Sequence, residues 1–508
     1  MPADYLLAID IGSSSVHCLL TDLTGHVIAS GHREWTYHSP DDIAPLGKEF
    51  NPDALWQIVC ENVRRTIGDA GVSGEDVVGV GATGQREGMI LLDKEGRELY
   101  AGPNTDLRAL MEGISIDDEF HKEVYSITGH MPSFLFAPAK LKWFKTNRPD
   151  IYSKIATILT ISDWVIYRLC GERASGVCGA SELGLIDIGS GTWSDELREL
   201  LDLPHGIYAG LVPASSIVGK VDARVAAETG ISRGTPVVMG APDTQCGLIG
   251  MGIEDPGQTG IVIGWSAPVQ MVTAEPVFDP EAKIWTGCHL FPERWILESS
   301  TGEAGNAYRW LKEIMFNHES MGEGEIYDLM DHMARQSPAG TEGVLAFTGP
   351  GAMDMSRLTL RFGGFIFPVP LSATGTISRG HFVRATLENL CFAIKANCLQ
   401  IEIVSGCKIK EISIGGGLAR SGFLAGILPS VLNVCVRVPQ IKDVSGLGAA
   451  MCAAVGSGAC SNLEEAIDIM RPEDRIFEPD PLTALEYDEY YKRWIATAER
   501  LEELGEVM

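Results

Sequence analysis

A chain of 508 residues, 45% of them apolar and 21% charged, has room for two to four domains at ~100–200 residues each and too much apolar content to stay disordered. Asp and Glu number 68 against 40 Lys and Arg; the resulting net charge of −28 repels phosphate backbones and anionic lipid surfaces, so no nucleic acid and no membrane is expected as a partner. The 12 cysteines form no CxxC pair and no CxxC…His spacing, and no basic segment precedes the short apolar run after Met1-Pro2-Ala3, so reduced thiols in a cytoplasmic protein are expected. The apolar stretch Gly446–Gly458 is too short to span a bilayer.

Tyr5–Asp10 (YLLAID), Val16–Asp22 and Val27–Ser30 are extended patterns separated by Gly12-Ser13-Ser14-Ser15 and Gly25-His26, which predicts an antiparallel meander. Asn51–Ala70 places Leu55, Ile58, Val59, Val63 and Ile67 on one helical face, and Val77–Ala82 returns to a strand. Helices follow around Ala139–Lys145 and Ile161–Leu169, the second with Ser162-Asp163 as its cap. A related order recurs later. Thr259–Ile263 and Pro268–Val272 flank Gly264-Trp265-Ser266, and helices are expected at Ala304–Phe316, His381–Val404 and Phe423–Leu432, with strand Ile412–Ile414 before the last. The chain therefore reads as two copies of a sheet-plus-helices unit, the second starting near Ile253 with Pro256-Gly257 at the crossing. Pro481–Met508 reads as an acidic, exposed terminal helix.

Four places put Gly, Ser or Thr at a strand end. In Asp10-Ile11-Gly12-Ser13-Ser14-Ser15, backbone N–H groups and hydroxyls form a nest suited to phosphate oxygens, with Asp10 at its mouth able to hold Mg2+; the bland alternative is an ordinary β-turn. Asp243, in Gly240-Ala241-Pro242-Asp243-Thr244-Gln245 after strand Pro236–Met239, could take a proton from an acceptor hydroxyl or simply cap a helix starting at Thr244. Gly264-Trp265-Ser266 is the counterpart of the first turn. Gly415-Gly416-Gly417-Leu418-Ala419-Arg420-Ser421 lets the backbone approach a flat ligand such as adenine or ribose at a helix start.

Gly79-Val80-Gly81-Ala82-Thr83-Gly84 matches GxGxxG by accident, because strand Met89–Asp93 and no helix follows it. Beyond it, Gln85-Arg86-Glu87 and then Asn104, Asp106 and Arg108 are polar groups at successive loop ends, able to bond the hydroxyls of a small polyol or to be solvated turns. No Walker A, HRD…DFG, HExxH or GxSxG pattern occurs, which removes four common catalytic readings.

On these residues the chain resembles the FGGY carbohydrate kinases, from about Leu6 to Glu499, most specifically in AIDIGSSSVHCLLTD at Ala8–Asp22 and in Ile414–Gly458. Arg86-Glu87 resembles the Arg-Glu pair of glycerol kinases, and Arg86–Ala109 and Ile161–Gly171 are similar to the autoinducer kinases. Xylulokinases instead carry Met-His-Gly at the Arg86 position. The resemblance implies an α/β fold of two RNase-H-like (actin-like ATPase) domains with a deep interdomain cleft, residues 1–252 mainly for sugar and 253–508 mainly for nucleotide. It implies an ATP- and Mg2+-dependent kinase, with Asp243 as base and Asp10 as the metal-linked acid. Gly12, Ser13, Ser14, Gly264 and Ser266 would hold phosphates, and Gly416, Gly417, Arg420 and Ser421 the nucleoside. Arg86, Glu87, Asn104, Asp106, Thr244 and Gln245 would hold a small-molecule sugar, ketose, polyol or autoinducer-like acceptor. Family members are often dimers, so a homodimer is implied too.

Four positions depart from the family pattern: Ala241-Pro242 before the base, Trp265 where Thr is usual, Leu135 where glycerol kinases have a substrate-contacting Tyr, and Pro429, expected to interrupt its helix. Two other readings remain open on these departures: a degenerate ligand-binding protein without turnover, and a kinase using another phosphoryl donor.

Overall fold

The computed structural model describes residues 4–319, 321–356, 362–370 and 377–507, so the first three residues and Met508 lie outside the described residues. The chain divides into two units. The first comprises Met1–Pro256, Val272–Ile296 and Asp443–Pro472, the second Gly257–Met271, Leu297–Lys442 and Glu473–Met508.

The expected meander opens the first unit. Tyr5–Ile11, Ser15–Asp22 and Val27–Glu34 pair antiparallel in sequence, and the sheet continues on the other side of Tyr5–Ile11 through Val77–Gly84, Pro236–Val238 and Ile217–Lys220. Val77–Gly84 runs parallel to both Tyr5–Ile11 and Pro236–Val238, so three strands deliver their carboxyl ends to one edge of the sheet. Leu7, Ile9, Val80 and Val237 are fully buried, as a parallel region covered on both faces requires.

Helix Pro52–Ala70 covers one face. Asn51 Oδ1 accepts from Ala54 N at 3.0 Å as its N-cap, and Leu55, Val59, Val63 and Ile67 are buried as the spacing predicts. Helix Ile161–Cys170 is capped two residues earlier than expected. Thr160 is the N-cap and Asp163 answers it in a capping box, the hydroxyl and the carboxylate each satisfying one orphan N–H.

Sequence order does not reveal why Asp443–Pro472 belongs with the first unit. Helix Val444–Ser457 (VSGLGAAMCAAVGS) is almost entirely small residues and lies against strands Tyr5–Ile11 and Val77–Gly84 and helix Asp243–Gly250. Its backbone approaches so closely that a Cβ on Gly448 would lie 1.9 Å from Cys246 O. Only glycine permits that approach.

In the second unit Ser266–Thr273, Thr259–Val262, Glu411–Gly415, Cys435–Pro439 and Asp474–Phe477 lie side by side in that order. The first pair is antiparallel, and Thr259–Val262, Glu411–Gly415 and Cys435–Pro439 are parallel. The same strand–turn–strand start followed by parallel neighbours thus recurs, as the repeat of elements predicted. Helix Gly422–Leu432 runs on through Pro429 rather than stopping there, with Asn433 ending it in the left-handed region.

The terminal helix Pro481–Val507 is not simply exposed. Tyr487 and Trp494 on one face are buried. Tyr487 accepts from Arg384 at 2.9 Å and donates to Glu388 at 3.1 Å, while Trp494 Nε1 donates to Asn389 at 2.8 Å. The seven-residue spacing of those aromatics, two helical turns, marks a packed stripe that the acidic composition conceals. Among the described residues no helix is long and apolar enough to cross a membrane.

Candidate functional site

In the first unit the three parallel strands end in residues that carry chemistry, as sheets of this kind place ligands beyond their strands' carboxyl ends. Tyr5–Ile11 ends in Asp10 and the Gly12–Ser14 turn, Val77–Gly84 leads into Gln85-Arg86-Glu87, and Pro236–Val238 leads into Asp243. In the turn, Gly12 N donates to Ser15 O at 3.0 Å. Trp35 takes up two carbonyls, its Nε1 donating to Gly12 O and its N to Ser14 O, both at 3.0 Å. With those carbonyls fixed, Ser14 faces solvent and the Ser13 hydroxyl accepts from Asn104 Nδ2 at 3.2 Å. Asn104 N in turn donates to Gln85 Oε1 at 2.9 Å, so the Gly12–Ser14 turn and the Gln85–Glu87 loop are tied through one residue.

Asp10 Oδ1 is buried with no hydrogen-bond partner. Burial pushes its carboxyl well above the usual carboxylate range, and the nearby charges of Asp443 and Asp243 push it further. An unpaired carboxylate oxygen beside two more acids fits a divalent cation, which would relieve that repulsion. Among the described residues no three His, Cys, Asp or Glu side chains close into a full metal cage, so Mg2+ would take its other ligands from water and phosphate.

Asp243 opens helix Asp243–Gly250, and its Oδ1 accepts from Thr244 N at 2.8 Å. The helix thus begins one residue earlier than the capping alternative expects, with Pro242 rather than Asp243 as its N-cap, and Asp243 is half-buried just beyond the strand. Pro242 costs nothing as an N-cap: its carbonyl accepts from Cys246 N at 2.9 Å, and helix starts need no donor from that position. Ser445 Oγ donates to Asp243 O at 2.7 Å, while Asp443 caps the next helix by accepting from Gly446 N at 2.7 Å. Asp443 was not singled out in the sequence. Its signal was an Asp one residue before a run of small helical residues.

Arg86 lies between two carboxylates, 3.6 Å from Glu87 Oε1 and 3.6 Å from Glu182 Oε2, with its guanidinium 5.6 Å from the Trp285 ring. Glu182 Oε1 accepts from Gln245 Nε2 at 2.6 Å, and Thr244 Oγ1 donates to Gln245 Oε1 at 2.8 Å. The two residues after Asp243 are thus joined to the Arg86 cluster. Glu87 has φ 56°, a left-handed conformation that a Glu adopts only where its surroundings impose it, and such strain concentrates at ligand sites. Buried Lys140 donates to Glu87 O at 3.3 Å. Glu182, Trp285, His130 and Lys140 were missed, since nothing in their spacing joins positions so far apart in the chain.

Asp106 differs from its neighbours. It is fully buried, with Oδ1 accepting from Lys48 N at 2.8 Å and Oδ2 accepting from Tyr100 and from Arg108 Nε at 2.7 Å. Arg108 also pairs with Glu49 at 2.9 Å. Both Asp106 oxygens are occupied by the protein itself.

In the second unit Gly264 and Trp265 form the expected turn, and their carbonyls accept from Gly305 N at 3.1 Å and Ala304 N at 2.8 Å at the start of helix Gly305–Phe316. Trp265 is 46% exposed, and Ser266 begins the returning strand. Gly416 has φ 91°, and a Cβ there would lie 2.6 Å from Ile263 O, so the glycine run packs directly on the backbone before Gly264. Gly417 and Arg420 are exposed. Ser421 is the N-cap of helix Gly422–Leu432, accepting from Leu424 N at 3.1 Å while donating to Asp331 at 2.8 Å. Asp331, also unforeseen, holds that helix start.

Residues 5–250 match the N-terminal domain of the FGGY family of carbohydrate kinases, and residues 260–457 match its C-terminal domain. The chain is 31% identical to an autoinducer-2 kinase of Yersinia enterocolitica over 94% of its length and 91% of that protein. It is 30% identical to the Escherichia coli K12 autoinducer-2 kinase over 97% of this chain and 93% of that one. A xylulose kinase from Rhodospirillum rubrum superposes with a TM-score of 0.83 at 26% identity, covering 99% of this chain and 100% of that chain. Plasmodium falciparum glycerol kinase with ADP, at 19% identity and a TM-score of 0.82, shares the fold over 98% of both chains. Two domain matches spanning most of the sequence, on a fold that repeats a strand–turn–strand start in each unit, lead to one conclusion: the chain belongs to the FGGY family of carbohydrate kinases.

Proposed function

We propose that this carbohydrate kinase transfers the γ-phosphoryl group of ATP to a hydroxyl of an autoinducer-like compound or a closely related small ketose or polyol, with Asp243 as the general base. The observation that carries the assignment is Asp243 itself: a half-exposed carboxylate at the carboxyl end of a parallel strand, joined through Thr244 and Gln245 to the Arg86–Glu87 cluster. Likeness to autoinducer-2 kinases at 30–31% identity over nearly the whole chain supports the substrate class.

Asp243 would accept the proton of the attacking hydroxyl as the oxygen–phosphorus bond forms. Arg86, Glu87, Asn104 and Gln245 would orient the acceptor, and Thr244 would fix Gln245 through its hydroxyl. Asp106 supports this wall from behind, through Arg108 and Tyr100. The Gly12–Ser14 turn and Gly264 with Ser266 would position phosphates by backbone N–H groups and hydroxyls, and Gly416, Gly417, Arg420 and the helix capped by Ser421 would receive the nucleoside. Sugar kinases of this family use ATP with Mg2+; Asp10 would hold the metal, which supplies charge neutralisation at the phosphoryl oxygens. The division of labour is thus acceptor mainly on residues 1–252 and nucleotide mainly on residues 253–508. A cytoplasmic location and a homodimer belong to the same proposal, the first supported by 12 free cysteines, most of them buried.

The test is ADP release from Mg·ATP across dihydroxypentanedione, pentuloses, hexuloses, pentitols and glycerol. Asp243→Asn should lower turnover on the accepted compound by about two to four orders of magnitude. A variant within about tenfold of the parent would remove Asp243 from the base role.

A further inference from the structure

Glu182 ends helix Val177–Glu182 and is 2% exposed. One of its carboxylate oxygens, Oε1, is satisfied by Gln245. The other, Oε2, is buried without a hydrogen bond, although it lies 3.6 Å from Arg86 Nη1 and 3.9 Å from His130 Nε2. A buried carboxylate oxygen left in that state is costly unless a ligand completes it.

His130 faces it with a fixed ring. Its Nδ1 lies 2.6 Å from Thr128 O, and a carbonyl can only accept, so Nδ1 carries hydrogen. Nε2 is left facing Glu182 Oε2 at 3.9 Å, beyond hydrogen-bond reach, as is Arg86 Nη1 at 3.6 Å. Gly287 leaves space for one methyl group beside them: a Cβ built on it would stand 3.4 Å from Glu182 Oε1 and 4.0 Å from His130 Cε1 and Ser181 Oγ, all ordinary contacts. The Trp285 ring, 5.5 Å from the His130 ring and 5.6 Å from the Arg86 guanidinium, floors the same space.

Charge completes the picture. The buried or half-buried cations Lys48, Arg86, Arg108 and Lys140 are outnumbered by Glu49, Glu87, Asp106, Glu182 and Asp243, and Arg86 already has two carboxylates beside it. A carboxylate on the ligand would enter a region already rich in negative charge.

We infer that Glu182, with His130, forms a second wall of the acceptor site that accepts a ligand hydroxyl at Oε2 and restricts the acceptor to uncharged polyhydroxy compounds. This rests on the assignment of Arg86 and Gln245 to the acceptor, and it adds a specificity-determining residue to that site. Sugar acids are excluded by the carboxylate excess rather than by size.

Equilibrium binding without nucleotide tests this apart from turnover. The neutral probes are glycerol, xylitol, D-xylulose and dihydroxypentanedione; the anionic probes are glycerate, xylonate and gluconate. The parent protein should bind at least one neutral probe and bind every carboxylate at least tenfold more weakly. Glu182→Gln should weaken the neutral ligand by about 10- to 100-fold, the worth of a hydrogen bond to a buried charge, while Mg·ATP binding stays unchanged. Gly287→Ala, which sets one methyl group in ordinary contact with an intact carboxylate, should weaken it by about tenfold through occlusion. Equal binding of a carboxylate and its neutral counterpart overturns the inference, as does silence across both classes. So does neutral-probe binding within about threefold of the parent in both variants, and Gly287→Ala keeps that arm decisive should Glu182→Gln fail to fold. A neutral probe that binds through Glu182 but releases no ADP would sink the kinase assignment and leave this inference standing.

Discussion

Gly448→Ala isolates the contact that holds helix Asp243–Gly250, which carries the proposed base, in place. The added Cβ would lie 1.9 Å from Cys246 O, 2.6 Å from its carbonyl carbon and 2.9 Å from its Cα. Ordinary contact begins at 3.4 Å, so the two helices must part by roughly 1.5 Å, and none of the three atoms belongs to a side chain that could swing away. Overpacking of this kind costs about 2–3 kcal/mol, of which the better helix propensity of Ala returns about 1 kcal/mol. The net loss of about 1–2 kcal/mol should lower the thermal midpoint by roughly 1–3 °C, since the midpoint shift per kcal/mol shrinks with the size of the unfolding unit. The displacement bears on Asp243, three residues before Cys246, and on its carbonyl bond to Ser445, three residues before Gly448. A shift of that size at a catalytic group costs about a hundredfold, so kcat should fall by nearly that factor with KM for ATP little changed. Gly68→Ala is the matched control: it lies in helix Pro52–Ala70 with nothing within 4 Å of its Cβ, and it should raise the midpoint slightly. Differential scanning fluorimetry and steady-state kinetics on both variants decide the matter. A Gly448→Ala protein as stable as the parent and within about threefold of its kcat would refute the claim that helix spacing positions the base.

Gly416→Ala places a Cβ 2.6 Å from Ile263 O at a φ of 91°, so it should raise KM for ATP by about tenfold while leaving acceptor KM nearly unchanged; equal changes in both would contradict the nucleotide role. His289 supplies a pH signature. Burial, with Arg294 adding to it, lowers its imidazole to about 3, whereas the unfolded chain protonates near the ordinary 6.5. The unfolded state therefore binds the extra proton, and stability present above pH 6.5 is lost as pH falls toward 3, at up to ~1.4 kcal/mol per pH unit. His289→Asn keeps an acceptor for Phe291 N, which donates to His289 Nδ1 at 3.2 Å, but cannot take up that proton. Its thermal midpoint should fall less between pH 6.5 and 4.5 than the parent's, and identical slopes would show that His289 does not govern the acid limb.

What the sequence disclosed follows how local each signal is. The meander, the helix capped by Asn51 and the Gly416-Gly417 turn are written in adjacent residues, by alternation, helical spacing or consecutive glycines, so their positions could be read directly. Asp10 and Asp243 were legible for the same reason, each lying at the end of a short apolar run. Asp106 shared that local signature yet turned out to be sealed behind Tyr100 and Arg108, because a loop-end acid looks the same whether its oxygens meet a ligand or a neighbouring guanidinium.

Long-range closeness had no such signature. Glu182, His130 and Trp285 meet Arg86 only after the fold has brought segments from four parts of the chain together. The same physics explains why Asp443–Pro472 joins the first unit. Its small residues read only as a short apolar stretch, and only a backbone approach that excludes a Cβ at Gly448 identifies helix Asp243–Gly250 as its partner. Gly448 and Gly250, at which a Cβ would lie 1.9 Å and 2.1 Å from a backbone oxygen of the facing helix, therefore mark where a second backbone comes close, at a helix-propensity cost of about 1 kcal/mol each. In this chain they hold the element that caps on Asp443 against the element that starts with Asp243, which places two of the three acids that surround the proposed metal and proton-transfer chemistry.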